Sequence, residues 1–351
     1  MNARLPVLVL SIILASCGGA AGDGSTNPPP PPPKPPVTPA YEVLGFFRNN
    51  SDSLASAMST STPVNAISMS LMSVDASGTL YGSVNANLLA DDVTSKKISY
   101  ILISNRGAGT DSSIVHDAMV TNEATTIANL VALWQGSPQL DGINIDFEGI
   151  DPADRDAYTQ FVGDLAAGLH AVGAKLMLSV AAKTFDNPNS NWSWPYDYAA
   201  IGALADVVQV MTYDEHYRGG KPGAVAGSDW MSAVLTYAAS QIDPAKLLLG
   251  LPVYGYDWNL TAGGAAVVPW KDLPALLAST GASAQYDATT DAGHFTYTAT
   301  DGSSHEVWYE TPQGIQVKAH LAVSLGLAGV STWALGYDDA DFWAALSAGL
   351  Q

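Results

Sequence analysis

Cysteine is almost absent from this chain: Cys17 is its only one, so no intrachain disulfide can brace the fold. Basic residues are scarce too. Against 33 Asp and Glu stand 14 Lys and Arg, a formal charge of -19, and no Lys/Arg run or aromatic–basic stripe interrupts the acidic excess. A surface of that sign repels phosphate backbones, so nucleic acid is not an expected partner. The six histidines lack metal-ligand spacing, no His-Glu-x-x-His occurs, and Arg106-Gly107-Ala108-Gly109 lacks the flanks of a phosphate loop. Gly-x-Ser sequences occur without a nucleophile elbow. Neither a metal, a cofactor nor a serine nucleophile is therefore expected.

Long apolar runs are missing as well. Val7 to Ala15, preceded by Arg4, is too short to span a bilayer and has the length of a secretory signal core. Leu14-Ala15-Ser16-Cys17 follows and resembles a bacterial lipoprotein box. That resemblance implies a signal peptide over 1–16, lipidation of Cys17, and a protein held to the membrane of the cell envelope by its lipid. Residues 17–40 include Pro28 to Pro33 and Lys34-Pro35-Pro36, which favour extended polyproline II and read as a tether. A monomer is the default expectation.

What remains, from Tyr41 to the end, is rich enough to bury a large core: 47% of the 351 residues are apolar and only 13% charged. Strand patterns fall at Glu42–Phe47, Ala66–Val74, Ile98–Ser104, Gly142–Glu148, Lys175–Ala181, Val207–Asp214, Lys246–Val253 and Gly329–Leu335. Helical patterns at Ile127–Trp134, Asp154–Val172, Trp230–Gln241 and Gln316–Leu325 separate several of them. Alternation of this kind predicts an α/β fold, a (β/α)8 TIM barrel over 41–351. Between 256 and 309 the pattern breaks into short segments, with Asp301-Gly302 as a hairpin turn, which predicts a small α+β insertion between strand 7 and helix 7.

One stretch carries most of the chemistry. In Asp141-Gly142-Ile143-Asn144-Ile145-Asp146-Phe147-Glu148, strand alternation puts Ile143, Ile145 and Phe147 on one face and Asn144, Asp146 and Glu148 on the other. Side chains two apart sit roughly 6.5 Å apart along a strand, so Asp146 and Glu148 can act on one small group. Asp151-Pro152 then signals a helix start, and carboxylates at the end of a strand that feeds a helix lie where such a barrel places its chemistry. In Val207 to Asp214 the same alternation places Gln209, Met211 and Tyr213 on the barrel's inner face.

The first segment closely resembles the Asp-Gly-x-Asp-x-Asp-x-Glu signature of family 18 glycoside hydrolases, the chitinases and related N-acetylglucosaminidases. Asn144 stands where the signature has its middle aspartate, as in the branch of spore-cortex-lytic and spore-germination enzymes. Gln209 to Asp214 resembles the family's sixth-strand pattern, Pro252 to Gly255 the end of its seventh strand, and Val330 to Gly336 its last. The third strand departs, ending Ser104-Asn105-Arg106-Gly107 instead of Ser-x-Gly-Gly.

The resemblance implies a retaining, substrate-assisted glycosidase. Glu148 would be the acid, Asp146 would orient the substrate's acetamido group, Tyr213 would steer its carbonyl, and Asp214 would hold the ring distorted. Asn144, Gln209, Met211, Tyr254 and Trp333 would bind substrate, with Trp333 as the flat floor under the sugar. An ionised Asp146 nearby would help keep Glu148 protonated. The implied substrate is a β-1,4-linked polymer containing N-acetylglucosamine, either chitin oligosaccharides or peptidoglycan strands. A sugar-binding protein on the same barrel is the rival reading; the presence of Glu148 favours catalysis.

Overall fold

The computed structural model describes residues 41–105 and 112–351. The expected signal, Cys17, the tether to residue 40 and Arg106-Gly107-Ala108-Gly109 lie outside the described residues. No helix among the described residues is long and apolar enough to cross a membrane.

Eight parallel strands close on themselves. In chain order they are β1 (Glu42–Phe47), β2 (Ala66–Val74), β4 (Ile98–Ser104), β5 (Gly142–Asp146), β6 (Lys175–Ala181), β7 (Val207–Met211), β8 (Leu247–Pro252) and β14 (Gly329–Trp333). Each pairs with its neighbour in parallel, and β1 pairs with both β14 and β2, which seals the barrel. A short strand, β3 (Leu80–Gly82), runs antiparallel along the end of β2. Crossover segments carry helices α1 (Ser51–Ala57), α2 (Ala86–Ser95), α3 (Ser112–His116), α4 (Glu123–Gln135), α5 (Arg155–Val172), α6 (Tyr198–Leu204), α7 (Ser228–Gln241) and α9 (Pro312–Ser324), and α10 (Ala340–Gly349) follows the last strand. The fold is thus the TIM barrel that the alternation predicts.

Strand alternation divides the apolar residues between two layers. Ile143, Ile145 and Phe147 join the layer between strands and helices, where Phe147 stacks on Phe161 of α5 with centroids 5.8 Å apart. Leu44, Phe46, Tyr100, Leu102, Met177 and Leu248 fill the barrel's interior. With Phe147 drawn outward to the helices, Asp146 and Glu148 face inward.

The insertion sits between β8 and α9. It is an antiparallel sheet ordered β10-β9-β13-β12-β11, built from β9 (Tyr254–Asn259), β10 (Ala265–Pro269), β11 (Gln285–Asp287), β12 (Ala292–Thr298) and β13 (Ser304–Glu310), with α8 (Leu273–Thr280) against it. It opens at Tyr254, two residues before the predicted boundary, because β8 ends at Pro252. Asp301-Gly302 does form the turn between β12 and β13, with Gly302 at φ 86° in the left-handed region.

Besides β8, which ends one residue early, three strands stop short of their predicted ends at the barrel mouth. β5 ends at Asp146, not Glu148; β7 ends at Met211, not Asp214; β14 ends at Trp333, not Leu335. The backbone leaves the ladder there and presents its next residues to the cavity. Regular strand geometry yields where the site begins.

Candidate active site

A cavity of about 730 Å³ opens at the C-terminal ends of the barrel strands. Asp146, Glu148, Met211, Tyr213, Asp214, Tyr254 and Trp333 all line it, so residues from three separate strand ends and the insertion converge. Asp146 is 8% and Glu148 5% exposed, which places both carboxylates in the wall and out of bulk solvent.

Asn144 and Gln209, expected to bind substrate, are not among the residues that line the cavity. Both are fully buried. Asn144 lies one inward position below Asp146 and bonds the hydroxyls of Ser68 at 3.1 Å and Ser179 at 3.2 Å, so it fastens three strands beneath the floor. Gln209 donates to the Val210 carbonyl at 3.1 Å and its amide supports the Tyr213 hydroxyl from below. Alternation assigned their face correctly and carries no information about depth.

Tyr213 and Asp214 are delivered by a bend after β7. Thr212 N–H donates to the Val210 carbonyl at 2.8 Å and its hydroxyl donates to Gly250 at 2.7 Å. Gly250 is required here: a Cβ on it would stand 2.9 Å from the Tyr213 ring and 2.6 Å from the Val210 carbonyl. Burial and the surrounding Asp146, Glu148 and Asp214 push the Tyr213 phenol well above its ordinary pKa. It therefore stays an O–H donor aimed into a carboxylate-lined space.

Asp214 adopts φ 59°, a left-handed conformation that an aspartate tolerates better than most side chains. Its Oδ1 accepts from the hydroxyls of Tyr254 at 2.5 Å and Tyr256 at 2.9 Å, both from the insertion's first strand. Burial, then the Asp214 charge, raises both phenols, so each remains a donor. Tyr254 thus belongs to the insertion instead of the seventh barrel strand, and it meets Asp214 as well as the cavity.

Trp333 lies with its ring centroid 5.4 Å from Phe46, and both line the cavity. A broad indole supported by a second ring offers the flat apolar surface on which the C–H face of a sugar packs. Of the aromatics after β6, Trp192 alone lines the cavity and is half-exposed. Trp194 stacks under the Arg155 guanidinium at 4.0 Å, Tyr196 donates to the Phe147 carbonyl at 2.7 Å, and Tyr198 donates to Ala181 at 2.6 Å.

Several wall residues escaped the sequence reading: Phe46, Ser70, Ser104, Glu215, Tyr217 and Trp230. For Phe46, Ser104 and Trp230 the signal was positional, at a strand's C-terminal end or a helix start, whereas Ser70 lies within β2 and Glu215 and Tyr217 lie in the loop after β7. Burial raises the Glu215 carboxyl, although Glu215 also accepts from Gly227 N–H at 2.9 Å. Among the described residues, no group of three or more His, Cys, Asp and Glu converges to hold a metal ion. A second hollow of about 790 Å³ lies beside α1 and α10. Its carboxylates serve the fold: Asp338 accepts from Ser56 and Trp343, and Asp52 pairs with Lys271 at 2.6 Å.

The family model for glycosyl hydrolases family 18 matches residues 43–338. A crystal structure of a chitinase from Chromobacterium violaceum superposes with a TM-score of 0.84 at 36% identity, covering 89% of this chain and 99% of that one. An uncharacterized glycosylase of Bacillus subtilis is 42% identical over 59% of this chain and 61% of its own length. The cortical fragment-lytic enzyme of the same organism is 38% identical over 58% of this chain. The matches span 61% and 48% of the lengths of these two relatives.

Proposed function

This chain belongs to glycosyl hydrolases family 18, and from that membership we propose that it hydrolyses glycans containing β-1,4-linked N-acetylglucosamine by a retaining, substrate-assisted route. One observation carries the reading: Asp146, Glu148, Tyr213 and Trp333 share a single cavity at the barrel mouth. Trp333 bears the sugar ring. Protonated Glu148 gives its proton to the glycosidic oxygen as the C1–O bond breaks, and the substrate's own acetamido oxygen bonds to C1, giving an oxazolinium ion. Asp146 accepts the amide N–H and balances the positive charge, while the Tyr213 hydroxyl donates to the acetamido carbonyl. Water then attacks C1, Glu148 takes its proton, and the ring reopens with retained configuration.

The walls favour an uncharged glycan. Among the cavity's described lining residues are four carboxylates, Asp146, Glu148, Asp214 and Glu215, and no Lys, Arg or His. Even with Glu148 protonated, in a partly dehydrated cleft the negative charge of the ionised remainder opposes a saccharide carrying its own carboxylates. Neutral chitin oligosaccharides are accordingly the preferred substrate over carboxylate-bearing peptidoglycan strands. Digestion of both, with mass analysis of the products and a Glu148→Gln control, tests the proposal. Release of N-acetylglucosamine oligomers from chitin by the wild type, with turnover nearly abolished in Glu148→Gln while oligosaccharide binding persists, is the expected result. Equal turnover by the two proteins would defeat it, and faster release from peptidoglycan would reverse the substrate preference.

A further inference from the structure

The β4–β5 ladder ends where Ser104 lies beside Asp146. Glu148 is two residues further on, past the last strand pairing, yet its carboxyl must be held in place. Asn105, the residue after Ser104, is fully buried. Its Oδ1 accepts from the Glu148 N–H at 3.0 Å, and its Nδ2 donates to the Glu148 carbonyl at 2.7 Å. A side-chain amide thus stands in for the missing strand neighbour and adds one more rung.

We infer that Asn105 is a positioning residue for Glu148, fixing the backbone from which the proton donor reaches its substrate. The inference rests on the reading of Glu148 as the acid. Tyr196 completes the clamp by holding the preceding carbonyl, that of Phe147, at 2.7 Å from another loop. The peptide groups flanking Glu148 are therefore fastened from two sides, and mainly its side-chain torsions stay adjustable. The site also explains the residue type. Asparagine both donates and accepts at this reach; ionised aspartate only accepts, leucine does neither, and glutamine is one methylene too long.

Leaving-group dependence separates positioning from general support. A displaced acid costs most where the departing oxygen needs a proton most, so a sugar alkoxide suffers more than 4-nitrophenolate. For Asn105→Leu and Asn105→Asp, kcat on a chitin oligosaccharide should fall by about 100-fold, the scale of a misplacement near 1 Å. KM should stay within about threefold of wild type. On a 4-nitrophenyl N-acetylchitooligoside the loss should be at least about tenfold smaller. Asn105→Asp keeps the size and one acceptor, so it serves if the leucine variant does not fold. Its deficit should also shrink as pH falls and its protonated carboxyl regains a donor.

Equal losses on both substrates, or no loss, would overturn the assignment of Asn105. Absence of wild-type cleavage of either substrate, or wild-type turnover in Glu148→Gln, would overturn the reading of Glu148 itself. The two failures are distinct.

Discussion

At the scale of single residues, the proposed mechanism separates groups that would touch a substrate from groups that would aim them. Tyr213 is proposed to be of the first kind: its phenol is kept protonated by burial and by three neighbouring carboxylates, and it lines the cavity. Tyr213→Phe removes a donor to the acetamido carbonyl while leaving the ring against Gly250. We expect kcat to fall by about 100-fold, as for loss of one oriented donor to developing charge, with Tm unchanged within about 2 °C. Steady-state kinetics beside a melting curve checks both. That Asp146, Glu148, Tyr213 and Trp333 would face one space was legible in the sequence, because period-2 alternation orients side chains whatever the tertiary context. Asn144 and Gln209 shared that orientation, and only their hydrogen bonds to Ser68, Ser179 and Val210 reveal that they lie under the floor. Asn105 could not be found in this way. Its part depends on where a neighbouring strand stops, a tertiary fact with no local pattern.

At the scale of elements, helix α9 and strand β13 are joined by a buried ion pair, Lys318 with Glu310, each almost fully enclosed. Burial raises the Glu310 carboxyl even though Lys318 opposes the shift, so the charge on Glu310 depends on its partner. Lys318→Met strands that carboxyl in an apolar setting and should destabilise the protein by about 3–5 kcal/mol. Lys318→Met with Glu310→Leu should recover most of the loss, since a hydrophobic pair of similar volume avoids the cost of burying charge. Chemical denaturation of the three proteins decides it, and equal destabilisation of single and double variants would contradict the argument. The long amphipathic helix α5, expected over Asp154–Val172 from Asp151-Pro152, spans Arg155–Val172, and Gly173 at φ 88° is its C-cap. The strand ends were not, because β5, β7 and β14 give up regular pairing at the cavity.

At the scale of the whole molecule, the barrel was legible because its strands recur with helices between them, whereas the insertion's own strands are short and its edge had to be seen. The N-terminal end of the barrel carries the clearest response to pH. Glu42, at the start of β1, is pushed up from 4.5 to about 7, chiefly by burial, with Lys175 opposing and Asp141 adding to the shift. The folded state therefore holds this proton more tightly than the unfolded chain. Its contribution is fully present below about 4.5 and is lost as pH rises through about 7. Glu42→Gln should raise Tm at pH 8 relative to wild type and flatten the decline between these limits, as calorimetry across pH would show; a gain confined to acid pH would contradict the sign. The insertion has a different bearing on the molecule's history. Because Tyr254 and Tyr256 carry the hydroxyls that restrain Asp214, residues 254–310 are not an interchangeable accessory. A chimera that received another relative's insertion would also receive that relative's grip on the aspartate, so the two segments must be inherited together to remain matched.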